Sequence, residues 1–228
     1  MKHMAGHAHI SSSFDSELRA LKDQVLAMGA EVEAHIAAAT RALLGRDAEA
    51  AEQVIEADRE VNRRELAIDE ECVRLIAVRQ PAASDLRFIA ATLKIVVDLE
   101  RIGDLAVNMA ERVITLSAEP PVDLGVDLAT MSELTQIMLR DALDAFVAGD
   151  VAEAERVLAA DAEVDRRLAA VFDALRAAMV RDPALINRAI ATLFFAKHLE
   201  RLADHTTNIA EMVIYLVRGR DVRHARRR

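Results

Sequence analysis

Apolar residues recur along the chain at intervals of three and four, the spacing that lines one face of an α-helix. In the first such segment the recurring positions are Phe14, Leu18, Leu21, Val25, Met28 and Val32. Residues that end or break helices interrupt the spacing at Gly45, Pro81, Gly149, Pro183 and Gly219. The pattern therefore predicts six long helices, ending near Leu44, Arg79, Leu116, Ala148, Arg181 and Arg218.

The predicted helix starts carry side chains that can accept a hydrogen bond from the first turn. The candidate capping residues are Ser12 with Asp15 in a capping-box pattern, then Asp47, Ser84 and Asp150. We expect the first helix to begin near Phe14 and the fourth near Val126. Pro183 lies where a proline is tolerated in the first turn of the sixth helix.

The second half of the chain repeats the first. DREVNRR at 58–64 matches DAEVDRR at 161–167, 103 residues later, and Pro81 and Pro183 lie 102 residues apart. Offsets that are constant within helices and change between them indicate a duplicated three-helix unit. Since short connections make neighbouring helices antiparallel, we predict an all-α fold of two pseudo-symmetric three-helix bundles. The predicted divisions are repeats at 12–116 and 126–218, a proline-containing linker at 117–125 and a basic tail at 219–228.

Composition favours the same fold class. Hydrophobic residues make up 53% of the chain, with only 7 glycines, 4 prolines and no tryptophan, whereas a sheet protein of this length needs more turn and aromatic residues. The net charge of −9 argues against nucleic acid as the main partner. The basic tail is either a solvated terminus or a weak contact for an anionic membrane or acidic protein surface.

Cysteine content and the N-terminus bear on location. Cys72 is the one cysteine, which excludes an intramolecular disulfide and fits a reducing compartment. The N-terminal segment lacks the apolar region of a signal peptide, and no apolar run is long enough to span a bilayer. We therefore expect a soluble, cytoplasmic protein with at most peripheral membrane association. In mid-helix, Cys72 is expected to be a buried thiol rather than a nucleophile.

One phrase, DLERIGDLAVNMAE at 98–111, returns as HLERLADHTTNIAE at 198–211. With Glu100 set at 0° on a helical wheel, Glu111, Asp104 and Asn108 fall at about 20°, 40° and 80°. This polar stripe shares its sector with the apolar residues Ile89, Leu93, Val96, Val107 and Ile114. We therefore expect the carboxylates to face the core, where an unpaired carboxylate costs several kcal/mol and needs a partner.

Acids on the second and fifth helices match this stripe, because Asp58 and its repeat Asp161 stand on the apolar seams of those helices. The candidate ligands of a metal are Glu100, Asp104, Asn108, Glu111, Glu200, Asp204, Asn208, Glu211, Asp58 and Asp161. Such an oxygen-rich set suits hard or borderline cations, among which magnesium, manganese, iron and zinc are not distinguished. The alternative is a buried network of acids, Asn and Arg that fixes helix register. His198 and His205 fall off the stripe, at about 160° and 140°, and are not predicted ligands.

The motifs DLERIGD and HLERLADH, set in two three-helix repeats, resemble the PhoU family of bacterial phosphate-signalling accessory proteins. The resemblance extends over nearly the whole chain. It is also carried by the segments HISSSFDSEL, NRRELAIDEECVRLIAVRQPAASDLR, DALDAFVAGDVAEA and YLVRGRDVRH.

This resemblance implies a cytoplasmic, all-helical homodimer that contacts a phosphate ABC transporter, at its ATPase subunit, and a sensor histidine kinase. Such proteins keep the phosphate-starvation response off when phosphate is plentiful and restrain phosphate uptake. Some members carry multinuclear metal clusters at acidic motifs that correspond here to Glu100 with Asp104 and Glu200 with Asp204. We expect no enzymatic activity. Two alternatives stay open: a metalloenzyme that uses the same carboxylates, and a metal-free helical adaptor.

Overall fold

The computed structural model describes residues 4–220, with side chains from residue 13 onward. Within this part of the chain there are six α-helices and no strand. The helices are α1 (Met4–Gly45), α2 (Ala48–Arg79), α3 (Ala83–Ser117), α4 (Leu128–Ala148), α5 (Val151–Arg181) and α6 (Ile186–Arg218). A short 3₁₀ helix, Pro183–Leu185, leads into α6. The predicted all-α class is confirmed.

Aspartate side chains cap three of the helices, because each accepts a hydrogen bond from a first-turn amide. Asp47 accepts from the Ala50 amide and Asp150 from the Ala152 and Glu153 amides, as predicted. Asp127 accepts from the Thr130 amide, and α4 therefore begins two residues after the predicted Val126.

Two predicted helix starts are wrong. α1 begins at Met4 rather than near Phe14, so Ser12 and Asp15 lie inside the helix and not at its start. The apolar spacing begins at Phe14, but the residues before it include no proline, and helix can continue through them. α3 begins at Ala83 without a side-chain cap, and the Ser84 hydroxyl donates instead to Asp85 Oδ1 at 3.4 Å.

The turn between α1 and α2 is closed by Arg46, which follows the helix-ending Gly45. Arg46 adopts the left-handed conformation, with φ of 54°, that is usual for glycine after a helix. Its guanidinium donates to the carbonyl oxygens of Leu116, at 2.6 Å, and of Glu119. It thereby ties the turn between α1 and α2 to the carbonyl groups at the end of α3 and just beyond it.

Each repeat forms a three-helix bundle, and the two bundles share one core. The helices α1, α2 and α3 pack together, as do α4, α5 and α6, while α3 packs against α6 and α1 against α4. The central layer therefore has the order α2, α3, α6, α5. Apolar side chains from all six helices form a single buried cluster, which includes Leu21, Val25, Met28, Val32 and the free thiol of Cys72. Burial raises the pKa of this thiol to about 12, as expected for an inert cysteine.

None of the described helices combines the length and the hydropathy needed to cross a bilayer.

Candidate functional site

The acidic stripe of α3 lies at the edge of the core rather than inside it. The side chain of Glu100 is 23% exposed, that of Asp104 is 42% exposed and that of Glu111 is 48% exposed. The predicted core-facing position is therefore wrong in part. The cause lies in the apolar residues that defined the sector, of which only Ile89 and Val96 are buried. The other three are only half-buried, namely Leu93, Val107 and Ile114.

The first acidic cluster consists of Asp58 on α2 with Glu100 and Asp104 on α3. Asp58 is buried, and its Oδ2 accepts a hydrogen bond from Asn62 Nδ2 at 3.0 Å. Its Oδ1 is buried without a hydrogen-bond partner. Burial and then the neighbouring Asp104 raise the pKa of Asp58, and the same two causes raise the pKa of Glu100. Both groups therefore bear an electrostatic cost that a cation would relieve.

Gly103 makes room for Asp58 at the contact of α2 and α3. A Cβ at this position would lie 3.0 Å from Asp58 Oδ1 and 3.2 Å from Val61 Cγ1. The equivalent residue of the second repeat is Ala203. Asp58 therefore packs directly against the backbone of α3, beside the Glu100–Asp104 pair.

The second acidic cluster consists of Asp161 and Asp165 on α5 with Glu200 and Asp204 on α6. Asp161 Oδ1 and Glu200 Oε2 are buried without a hydrogen-bond partner. Lys197 Nζ donates to the other oxygen, Glu200 Oε1, at 2.5 Å. Burial, followed by the charges of three neighbouring carboxylates, raises the pKa of Asp161 to about 6. The pKa of Asp204 is raised by burial and then by Glu200.

The other predicted ligands lie away from these clusters. Eleven residues of helix separate Glu111 from Glu100, about 16 Å along the axis, so the two cannot share one ion. Glu111 is paired with Arg112 at 3.2 Å, and Glu211, which lies equally far from Glu200, interacts with a group of its own. Asn108 is half-buried on α3.

Asn208 faces the other repeat and not the second acidic cluster. Its Nδ2 donates to Asp98 Oδ1 at 3.0 Å, and His205 Nδ1 lies 2.8 Å from the same oxygen. These three residues form a polar contact between α3 and α6 that the helical wheel did not reveal, because it treats each helix alone. The sequence contains one sign of this contact, because the two repeats differ at these positions. His198 is equivalent to Asp98, and Leu105 is equivalent to His205.

His198, the counterpart of Asp98, has no comparable contact. Its Nδ1 is buried without a hydrogen-bond partner. Burial, followed by the charges of Arg201 and Arg112, lowers the pKa of His198 to about 4. The imidazole is therefore neutral at physiological pH.

The chemistry of both clusters fits a hard or borderline cation. Each combines three or more carboxylates with a buried oxygen that has no partner, and carboxylate oxygens are the ligands that such cations prefer. Among the described residues, however, no three Asp, Glu, His or Cys side chains are already arranged to hold one ion. Binding therefore requires the carboxylates of a cluster to turn towards a common point.

Comparison with known proteins identifies the family. The model of the PhoU domain matches residues 25–113 and 128–213, one segment in each repeat. The chain is 45% identical over 217 residues to the "Phosphate-specific transport system accessory protein PhoU homolog" of Pseudomonas aeruginosa, covering 95% of this chain and 90% of that protein. It is 39% identical over 216 residues to the accessory protein PhoU of Escherichia coli, again covering 95% and 90%.

Solved structures show the same relationship. The crystal structure of PhoU from Pseudomonas aeruginosa matches with a TM-score of 0.84 and 42% identity, over 91% of this chain and 100% of that chain. The phosphate transport system regulatory protein PhoU from Streptococcus pneumoniae matches with a TM-score of 0.84 and 32% identity, over 92% and 99%. Because the family model matches both repeats and the solved structures share the fold, the chain belongs to the PhoU family.

Proposed function

We propose that the protein is a negative regulator of phosphate uptake and of the phosphate-starvation response. It acts by contacting a phosphate ABC transporter, at its ATPase subunit, and a sensor histidine kinase. The observation that carries the proposal is the match of both repeats to the PhoU domain, together with relatives described as accessory proteins of phosphate-specific transport. A single cysteine and an ATPase partner fit a cytoplasmic location.

The proposal assigns no enzymatic activity and no nucleic-acid partner to the protein. Among the described residues, the carboxyl with the largest pKa shift, Asp161, belongs to the second acidic cluster, and the one thiol is buried with a raised pKa. The acidic net charge disfavours nucleic acid. We further propose a homodimer, which sedimentation equilibrium of the purified protein would test.

The two acidic clusters are the proposed sites for divalent or iron-type ions. Asp58, Glu100 and Asp104 would hold one centre, and Asp161, Glu200 and Asp204 would hold the other. A bound cation supplies positive charge with coordination positions that a phosphate oxygen can occupy. The buried, unpartnered oxygens of Asp58, Asp161 and Glu200 support this assignment.

The regulatory proposal is tested by complementation. In a Pseudomonas aeruginosa strain that lacks its own PhoU, a phosphate-starvation reporter is expected to be active even in high phosphate. Expression of this chain should restore repression, and expression of an unrelated helical protein of similar size should not. Undiminished reporter activity with normal protein levels would contradict the proposal.

The role of the acidic clusters is separated from that of the fold by neutral variants. Glu100→Gln with Asp104→Asn, and Glu200→Gln with Asp204→Asn, keep side-chain size and remove charge. If metal supports regulation, these variants fold but repress less, and phosphate binding by the wild-type protein is lost in chelator. Full repression by a metal-free quadruple variant would instead support the metal-free adaptor.

A further inference from the structure

An open apolar groove lies between α5 and α6, on the outer face of the second repeat. The cavity has a volume of about 580 Å³ and is lined mainly by Leu168, Ala169, Phe172, Leu193 and Phe194, with Asp165, Asp173 and Lys197 at its rim. Phe172 is 51% exposed and Phe194 is 50% exposed. Large aromatic side chains left half in water, and grouped in one groove, are typical of interaction sites.

Apolar surface continues from this groove along α6. Ile186 is 41% exposed and Ile190 is 42% exposed, and with Phe194 they follow one another at intervals of four residues. They form one stripe about 12 Å long. That length accommodates two turns of another helix.

The first repeat shows that the fold does not need this surface. The residues equivalent to Phe172 and Phe194 are Asp69 and Lys94, and both are exposed. Helices α2 and α3 pack with charges at these positions, so the two phenylalanines are not required by the packing of the duplicated unit. The pair of half-exposed phenylalanines is therefore a feature of the second repeat.

The charge around the groove indicates which partner fits. Asp165 and Asp173 stand on the rim, and the remaining acids of the second cluster lie beside it. Two cations nearby are already engaged, Lys197 with Glu200 at 2.5 Å and Arg176 with Asp173 at 3.3 Å. Asp165 has no ion pair with either of these cations, and it lies beside Asp161. The groove thus has an apolar floor and an acidic surround.

We propose that this groove docks an amphipathic helix of a partner protein. The partner helix would carry apolar residues at positions i, i+3, i+4 and i+7 and Lys or Arg at its flanks. Its apolar side chains would pack between Phe172 and Phe194, as in other helix-in-groove complexes. Its basic flanks would face Asp165 and Asp173. This inference deepens the proposed function and rests on it in one respect, namely that the protein acts through protein partners.

The test uses a fluorescein-labelled, 18-residue helical peptide with Leu at i, i+3, i+4, i+7 and i+11 and Lys on both flanks. One comparison peptide has Glu in place of every Lys, and a second has the same composition in scrambled order. Binding to the full-length protein is measured by fluorescence anisotropy in the presence of EDTA. The Lys peptide should bind at least tenfold more tightly than either comparison peptide, and added NaCl should weaken it.

The matched variant is Phe172→Asp with Phe194→Lys, which copies the residues of the first repeat and conserves net charge. It should weaken binding of the Lys peptide at least tenfold. Leu66→Asp, at a 63% exposed position of the first repeat, is the control and should change binding less than twofold. Circular dichroism confirms that each variant is folded.

Four results would overturn the proposal. The first two are equal binding of the Lys and Glu peptides, and equal binding by the wild-type protein and the Phe172–Phe194 variant. The third is loss of self-association in that variant by sedimentation velocity, which would assign the groove to a second copy of the chain. The fourth is absence of peptide binding, which would rule out the groove as a docking site and leave the complementation test of regulation unaffected.

Discussion

The two acidic clusters have the same Glu-xxx-Asp pair but differ in their neighbours, most clearly beside the acid of the preceding helix. In the first repeat Asn62 donates a hydrogen bond to the buried Asp58. In the second repeat the equivalent residue is Asp165, which adds a charge beside Asp161 and helps to raise the pKa of Asp161 to about 6. Asp161 therefore bears a larger electrostatic cost than Asp58. The Glu-xxx-Asp acids on α3 and α6 are the same in both repeats. The residues that differ on α2 and α5 determine how strongly a cation would stabilise each cluster.

A second difference lies where α3 crosses α6. Asp98 accepts hydrogen bonds from His205 and Asn208 across this contact. The equivalent position, His198, is buried with an unpartnered Nδ1. The pseudo-twofold axis therefore relates a satisfied polar contact to an unsatisfied one, and only the first should stabilise the packing of the two repeats.

Replacing the residues of that contact should give the largest effect on stability. Asp98→Leu leaves His205 and Asn208 without their shared acceptor in a site where the side chains are mostly buried. We expect a loss of about 2 kcal/mol, or roughly 4–8 °C in Tm. Thermal unfolding followed by circular dichroism would measure it.

The matched control is His198→Leu, which removes a nitrogen that has no partner. It should change Tm little or raise it. Equal losses in the two variants would show that the Asp98 contact contributes nothing beyond packing.

Exchanging the residue that differs between the clusters, Asn62 in the first and Asp165 in the second, should have a smaller effect on stability. This effect depends on pH. Because the pKa of Asp161 is raised in the folded state, that state binds the proton more tightly than the unfolded chain does. The contribution of Asp161 to stability therefore falls as pH rises from about 4, its unfolded value, to about 6, and stays low above that. Asp165→Asn removes one of the charges that destabilise ionised Asp161, and so recovers part of the lost stability.

In metal-free protein we expect Asp165→Asn to raise stability at pH 8 by about 1 kcal/mol, after allowance for solvent screening. The gain should vanish near pH 4. Asn62→Asp should have the opposite sign in the first repeat, since it replaces the donor to Asp58 with a charge. Tm measured from pH 4 to pH 8 would check both, and a gain that is independent of pH would contradict the electrostatic explanation.

The smallest effect is expected at the exposed cations beside each cluster. Arg101 lies 3.2 Å from Asp104 and its side chain is 56% exposed, whereas the 48% exposed Lys197 lies 2.5 Å from Glu200. Exposed ion pairs contribute little, so Arg101→Gln and Lys197→Gln should each change stability by less than about 0.5 kcal/mol. A loss above 1 kcal/mol in urea unfolding would show that these cations do more than screen the acids.

Local signals in the sequence predicted most of the fold. Asp47, Asp150, Gly149 and Gly219 act where they were expected, because capping and left-handed termination depend on a few neighbouring residues. The start of α1 was missed because a helix does not have to end where its apolar stripe ends. The Ser84 cap failed because Ala83, just before it, already belongs to the helix.

The candidate site was less predictable, because it depends on how the helices face one another. The helical wheel correctly predicted that Glu100 and Asp104 lie on one face of α3. It overestimated their burial, because Leu93, Val107 and Ile114 on the same face are only half-buried. The contact of Asp98 with His205 joins residues 107 apart and could not be found on a single helix. The metal assignment itself stays a prediction.

The most direct test of metal binding at the duplicated acids is a titration of the purified, metal-free protein with Mn²⁺. Isothermal calorimetry measures the binding, and elemental analysis measures the amount of bound metal. Four proteins are compared: the wild type, Glu100→Gln/Asp104→Asn, Glu200→Gln/Asp204→Asn, and the quadruple variant, each shown by circular dichroism to be folded. We predict two separable classes of sites, each removed by its own pair, with the tighter class at the second cluster. Absence of binding to the wild type, or undiminished binding to the quadruple variant, would contradict the assignment of metal to the duplicated acids.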